Sequence, residues 1–187
     1  VEDMTVTIAT LGFPRIGPRR ELKFALEKFW SGRIGEAELQ EAASSLRTAA
    51  WARQKALGAD WLPSNDFSLY DHVLDTSVML GAIPSRYGAA DGVTDLATYF
   101  AMARGTTGED AGCGHAHGSV TAGEMTKWFD TNYHYIVPEI EPGRKLALGR
   151  LKVVEEYREA KAQGYDTRPV LLGPITWLSL AKGHGID

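Results

Sequence analysis

Arg168-Pro169-Val170-Leu171-Leu172-Gly173-Pro174-Ile175-Thr176-Trp177-Leu178 is the stretch from which the fold is read. Its unbroken apolar run Val170-Leu171-Leu172 has the character of a strand covered on both faces, which points to a parallel sheet. Working outward, Leu146, Val153, Tyr157 and Ala160 form one stripe of a preceding helix, otherwise rich in Lys, Arg and Glu, that ends near Gly164. Before it, Glu124 to Glu139 holds Lys127, Asp130, Asn132, Tyr133, His134 and Tyr135 on an aromatic, β-branched framework halted at Pro138. That stretch predicts an extended strand running into a loop, dense enough in polar groups to suggest a site. An amphipathic strand with Lys127 reaching to solvent is the plainer alternative.

Toward the N-terminus, Thr5 to Leu11 reads as a strand and Gly12 to Pro18 as a turn. A helix opening at Pro18 follows, carrying Leu22, Ala25, Leu26, Phe29 and Trp30 at helical spacing. Arg19, Arg20 and Lys23 crowd its start, where the helix dipole disfavours cations unless an anion offsets them. A carboxylate or phosphate ligand would do so; the competing account is neutralisation by Glu21 and Glu27. Glu36 to Leu57 carries Leu39, Ala42, Ala43, Leu46, Ala50 and Leu57 on a further helical stripe, stopped by Gly58. A short strand at Trp61 then opens onto Asn65, Asp66, Asp71 and His72 and a helix running to about Leu80. Asp71 is expected as a helix-start carboxylate beside a surface His72. Thr94 is expected to cap a helix through Ala103. Gly105 to Gly118, with five glycines in fourteen residues, is expected to be a flexible loop; its Cys113, His115 and His117 lack the spacing of a structural zinc site.

The alternation of strands and helices is α/β, and no glycine fingerprint for a dinucleotide follows the first strand. In a TIM-type (β/α) barrel the loops after the strands carry the site. The segments Arg15 to Lys23, Asn65 to Asp71, Lys127 to Tyr135 and Gly173 to Trp177 occupy such positions and would converge on one rim. About four strands, at Thr5, Trp61, Thr126 and Val170, make an incomplete barrel. An open half of this kind exposes two sheet edges and is expected to form a homodimer with the apolar faces of two halves packed together, or else to be poorly soluble.

With 187 residues, 44% hydrophobic and 24% charged, the chain can bury a sizeable core as one domain or slightly more. A net charge of −4 argues against nucleic-acid binding. No apolar run reaches membrane-spanning length and the N-terminal stretch has no basic and apolar signal pattern, so neither membrane insertion nor export is expected. A single cysteine fits a reducing compartment, with cytoplasm as the default.

Five blocks bear a resemblance: Thr10 to Gly17, Arg19 to Lys23, Asn65 to Asp75, Glu124 to Glu139 and Leu172 to Trp177. Together they span nearly the whole chain, which resembles the N-terminal part of cobalamin-independent methionine synthase, a two-barrel enzyme. The resemblance implies that residues 1–187 are the N-terminal half of the N-terminal (β/α)8 barrel of a methyltransferase. That enzyme moves the methyl group of 5-methyltetrahydropteroyltri-L-glutamate to homocysteine. It implies that Arg20, Glu21, Leu22, Lys23 and Lys127 contact the folate's polyglutamate tail; Arg19, Asp130, Asn132 and Tyr133 are further candidates. The family's catalytic zinc and homocysteine site belong to a C-terminal barrel, so this chain is expected to hold no zinc, to contain no catalytic residue and to be inactive alone. A non-catalytic polyglutamate-binding or structural half-barrel module is the alternative.

Overall fold

A computed structural model describes residues 6–88, 94–107 and 119–183. Thr5, where the first strand is expected to begin, lies outside them, as does most of the glycine-rich loop. In chain order the described elements are α1 (Glu21–Trp30), α2 (Glu36–Ala56), β1 (Leu62–Ser64), α3 (His72–Met79) and α4 (Leu96–Arg104). They continue with β2 (Met125–Lys127), β3 (His134–Ile136), β4 (Glu139–Ile140), α5 (Lys152–Ala162), β5 (Thr167–Pro169), α6 (Pro174–Leu180) and β6 (Lys182–Gly183). This is a mixed α/β protein whose sheets are two-stranded pairs, none of them closed, among the described residues. Two compact units share the chain: Val1–Glu27, Ile34–Leu69 and Lys152–Leu171 form one, Lys28–Arg33, Tyr70–Leu151 and Leu172–Asp187 the other.

In the first unit β1 and β5 run parallel, with Leu62 opposite Thr167 and Ser64 opposite Pro169, and Ala9 adds a parallel bridge to Trp61. Strand β5 is therefore three residues earlier than the apolar run Val170 to Leu172 suggests. The ladder ends where the Val170 amide reaches the Ser64 carbonyl, because Gly173 and Pro174 must already start α6. Leu171 is consequently 57% exposed rather than buried. Helix α2 forms as its periodicity predicts, with Glu36 and Glu38 in the first turn and Arg53 and Lys55 in the last, each matching the dipole. Its buried face is Leu39, Ala43, Trp51 and Gln54, while Leu57 lies past the helix end and is exposed. Trp51 packs with Ala59, Leu62 and Ala160, and its indole N–H donates to the Pro63 carbonyl at 2.8 Å. Helix α1 begins at Glu21, not Pro18, because Gly17 and Arg20 take left-handed φ of 82° and 63°.

A buried ionic cluster ties this unit together. Glu156, 4% exposed, accepts the Asn65 amide at 3.0 Å and pairs with Lys152 Nζ at 3.3 Å and Arg47 at 3.8 Å. Lys152 also donates to Asn65 Oδ1 and the Phe67 carbonyl, and Asn65 Nδ2 to the Val170 carbonyl. Asn65 holds φ 59°, a left-handed conformation that asparagine tolerates better than most residues.

In the second unit α4 is buried almost all round, capped by Asp95 rather than Thr94: its Oδ1 accepts the Thr98 amide at 2.7 Å. Its core gathers Val73, Ala82, Tyr135, Val137 and Trp177, with the Trp177 indole donating to Ser77 Oγ at 3.1 Å. Residues Gly173 to Trp177, expected as a loop, open α6 instead. Helix α5 starts at Lys152 and not at Leu146, because Ala147 and Gly149 donate their amides to Leu80 and Met79 at the end of α3.

Glu156→Ala strands the Asn65 amide and takes the carboxylate from the Lys152 ammonium, a loss of about 3–5 kcal/mol. Urea unfolding should show that loss, and Glu156→Gln, which keeps an acceptor for Asn65, should lose less.

Candidate functional site

In the first unit the loop before α1 is held from below: the Phe13 amide donates to Asp66 Oδ2 at 2.8 Å and the Arg15 guanidinium to the Ser68 carbonyl. Arg15 is thus occupied with the scaffold. Beyond it the cation cluster is partly neutralised locally. Arg19 pairs with Glu21 at 3.1 Å and Lys23 with Glu27 at 3.3 Å, one turn along α1. The Glu21 carboxyl lies below its ordinary range because its own amide and that of Arg19 bond to it. The internal neutralisation weighed from sequence therefore accounts for Arg19 and Lys23. Arg20 is exposed and makes no ion pair among the described residues. Leu22, 1% exposed, faces the core, and its amide donates to Ile16, so it anchors the segment.

In the second unit Glu124 to Glu139 is not one extended strand. It is an antiparallel hairpin, β2 against β3, with Met125 opposite Ile136 and Lys127 opposite His134. The reversal is made by Trp128 to Tyr133. The Trp128 amide donates to the Tyr133 carbonyl, Thr131 returns both its amide and hydroxyl to the Trp128 carbonyl, and Phe129 takes φ 47°. Asp130-Thr131-Asn132 are turn-forming residues, and that was the signal for a reversal. Trp128 makes edge-on contacts with Phe129, Tyr133 and Tyr135 at 5.5–6.4 Å, so the aromatic residues serve as the frame of the tip. Lys127, Asp130 and Asn132 project outward, and Lys127 makes no ion pair among the described residues. His134 Nδ1 stands 3.0 Å from the Asn132 carbonyl, and Tyr135 is buried.

Asp71 is the N-cap of α3, as its position predicts, and its carboxylate accepts the Val73 and Leu74 amides at 2.7 and 3.2 Å. Less expected is its third bond, from the Ile136 amide of β3 at 3.0 Å, which nothing in the local sequence announces. His72 donates its amide to the Tyr133 hydroxyl at 3.2 Å. Burial pushes the Asp71 carboxyl up to about 6, against the pull of the three amides. Nearby, Tyr99 donates to Asp75 at 2.8 Å, and burial raises its phenol well above the ordinary range.

Cys113, His115 and His117 lie outside the described residues. Among the described residues no three His, Cys, Asp or Glu side chains stand together as a candidate metal site. No described helix is long and apolar enough to cross a membrane.

Residues 7–187 match the family described as "Cobalamin-independent synthase, N-terminal domain", and the chain belongs to that family. A Caulobacter vibrioides protein named 5-methyltetrahydropteroyltriglutamate--homocysteine methyltransferase is 63% identical across 96% of this chain and 24% of its own length. Proteins of the same name from Nitrobacter winogradskyi and Rhodopseudomonas palustris are both 64% identical, covering 94% and 95% of this chain and 24% of their own lengths. The chain therefore spans about a quarter of these relatives.

The raised Asp71 carboxyl has a definite consequence for stability. Folded, it binds its proton more tightly than the unfolded chain does, so its contribution is greatest in acid and is lost as pH rises from about 4 to about 6. The shift corresponds to roughly 3 kcal/mol. Denaturant titrations across that range should show the decline, and Asp71→Asn should remove that component of the slope.

Proposed function

We propose that this chain is the N-terminal portion of a methyltransferase that carries the methyl group of 5-methyltetrahydropteroyltri-L-glutamate to homocysteine. In this reading it forms the first half of the N-terminal (β/α)8 barrel, and the chemistry resides in a C-terminal barrel beyond it. The parallel register of Ala9, β1 and β5 supports the barrel reading. The longer relatives' shared name supplies the donor and the acceptor. Zinc in that enzyme would lower the thiol pKa of homocysteine and is held outside this chain. The reaction, its small soluble substrates and the single cysteine fit a cytoplasmic location.

The chain's own part is to contact the polyglutamate tail. The contacts are Arg20, Glu21, Leu22, Lys23 and Lys127, with Arg19, Asp130, Asn132 and Tyr133 as additional ones. The observation that carries this is the pair of outward cations Arg20 and Lys127, one set by a left-handed backbone and the other by a strand register. A γ-glutamyl tail offers several carboxylates, which suit a guanidinium fork and an ammonium point charge. Glu21 assists by holding Arg19, and Leu22 by anchoring the segment.

In the full-length protein, Lys127→Ala should weaken the triglutamate folate at least ~tenfold more than the monoglutamate, the loss of one charge-assisted contact. Added salt should narrow the difference. Equal weakening of both folates would exclude the tail contact. The isolated chain should show no methyl transfer and retain no stoichiometric zinc after dialysis. It should also sediment as a homodimer at low micromolar concentration, since Leu171, Ile175 and Leu178 are more than half exposed. A stable monomer would refute the dimer.

A further inference from the structure

We infer that Asp71 is a positioning residue for Lys127, its carboxylate fastening strand β3 of the hairpin to the start of α3. The inference rests on the reading of Lys127 as a tail contact. An N-cap needs only the one or two amides at the head of its own helix, and a serine or asparagine supplies them from a surface position. Asp71 is instead 1% exposed and spends its third bond on Ile136, 65 residues away. Burying a carboxylate is costly, and that cost is visible in its raised proton affinity. Capping alone does not call for such a residue; joining two elements does.

The geometry carries the tie through to Lys127. Ile136 pairs with Met125, and Lys127 lies two residues along the same strand, on the same face as Met125. On the far side of the ladder the Val137 amide bonds the Glu124 carbonyl at 2.8 Å, so both strands of the hairpin are locked beside the Asp71 contact. A second tie lies near the tip, where the His72 amide meets the Tyr133 hydroxyl. The first three amides of α3 are thus spent on Tyr133 and on the carboxylate that holds β3. A hairpin with three-residue strands has little stability of its own. Released from α3, it would present Lys127 over a range of positions and lose the fixed geometry that favours a multiply charged tail.

The test is Asp71→Ser in the complete protein, because serine still caps α3 but is too short to hold Ile136 as well. The expected result is intact α3 protection with Ile136 amide hydrogen exchange at least ~tenfold faster. The preference for triglutamate over monoglutamate folate should fall as it does in Lys127→Ala, and the double variant should lose no more than either single one. If Asp71→Ser does not fold, Asp71→Thr, whose hydroxyl caps α3 but is equally too short to hold Ile136 as well, must give the same two shifts. Unchanged tail preference in a folded Asp71 variant, with Lys127→Ala still losing it, overturns the positioning role. Should Lys127→Ala itself leave the preference intact, the tail reading falls and the positioning role with it. The Ile136 exchange rate would then report separately on whether the carboxylate holds the hairpin.

Discussion

A backbone amide at the end of a short strand must find an acceptor once it is buried, and in both units that acceptor is a carboxylate taken out of water. The Asn65 amide, just past β1, goes to Glu156 on α5; the Ile136 amide, closing β3, goes to Asp71 at the head of α3. With strands of only two or three residues, ladders alone hold little. The carboxylates turn these fragments of sheet into attachments between strand and helix, and the rest of each unit packs around them.

The two carboxylates are stabilised differently. Glu156 has cations at hand in Lys152 and Arg47, and Arg47 is itself held by Glu159 and lies over the Phe67 ring. Among the described residues Asp71 has amides alone as partners, and burial, with the like charge of Asp75 one turn on, pushes its carboxyl up. A third buried acid, Glu139, is gripped by both terminal nitrogens of Arg86. Glu156 and Glu139 are thus each matched by cations, whereas Arg20 and Lys127 are exposed and make no ion pair among the described residues.

Much of this was legible in the sequence where periodicity carried the information. The helices α2, α3 and α4 appear where they were read, and Asp71 caps α3 as a helix-start carboxylate should. The failures have physical causes. Val170 to Leu172 looked like a doubly covered strand, yet the chain had to leave the ladder in time for Pro174 to begin α6. The polar and aromatic density of Lys127 to Tyr135 drew attention to a site and obscured the turn formed by Asp130-Thr131-Asn132. Thr94 yielded the cap to Asp95, whose longer side chain reaches the Thr98 amide. Glu156 and Lys152 gave no sign of burial, because a Lys/Glu pair one helical turn apart reads as a solvated face until Asn65 closes over it. The anion-seeking character of the Arg19 to Lys23 cluster could be read only in part, since two of its three charges are answered by Glu21 and Glu27.

The interleaving of the two units bears on how such a chain is made. Strand β1 has its parallel partner in β5, and the Asn65 side chain reaches Val170 across a separation of 105 residues. At ribosomal rates of ~5–20 residues per second, β1 emerges on the order of 5–20 seconds before its partner exists. Residues 70–151, the larger part of the second unit, are synthesised in that interval, while the first unit waits with an open strand edge and Glu156 not yet made. Vectorial synthesis thus runs against the order of contacts in the first unit. A ribosome pausing between Ser64 and Thr167 would prolong the exposure of an edge that chaperones are suited to shield.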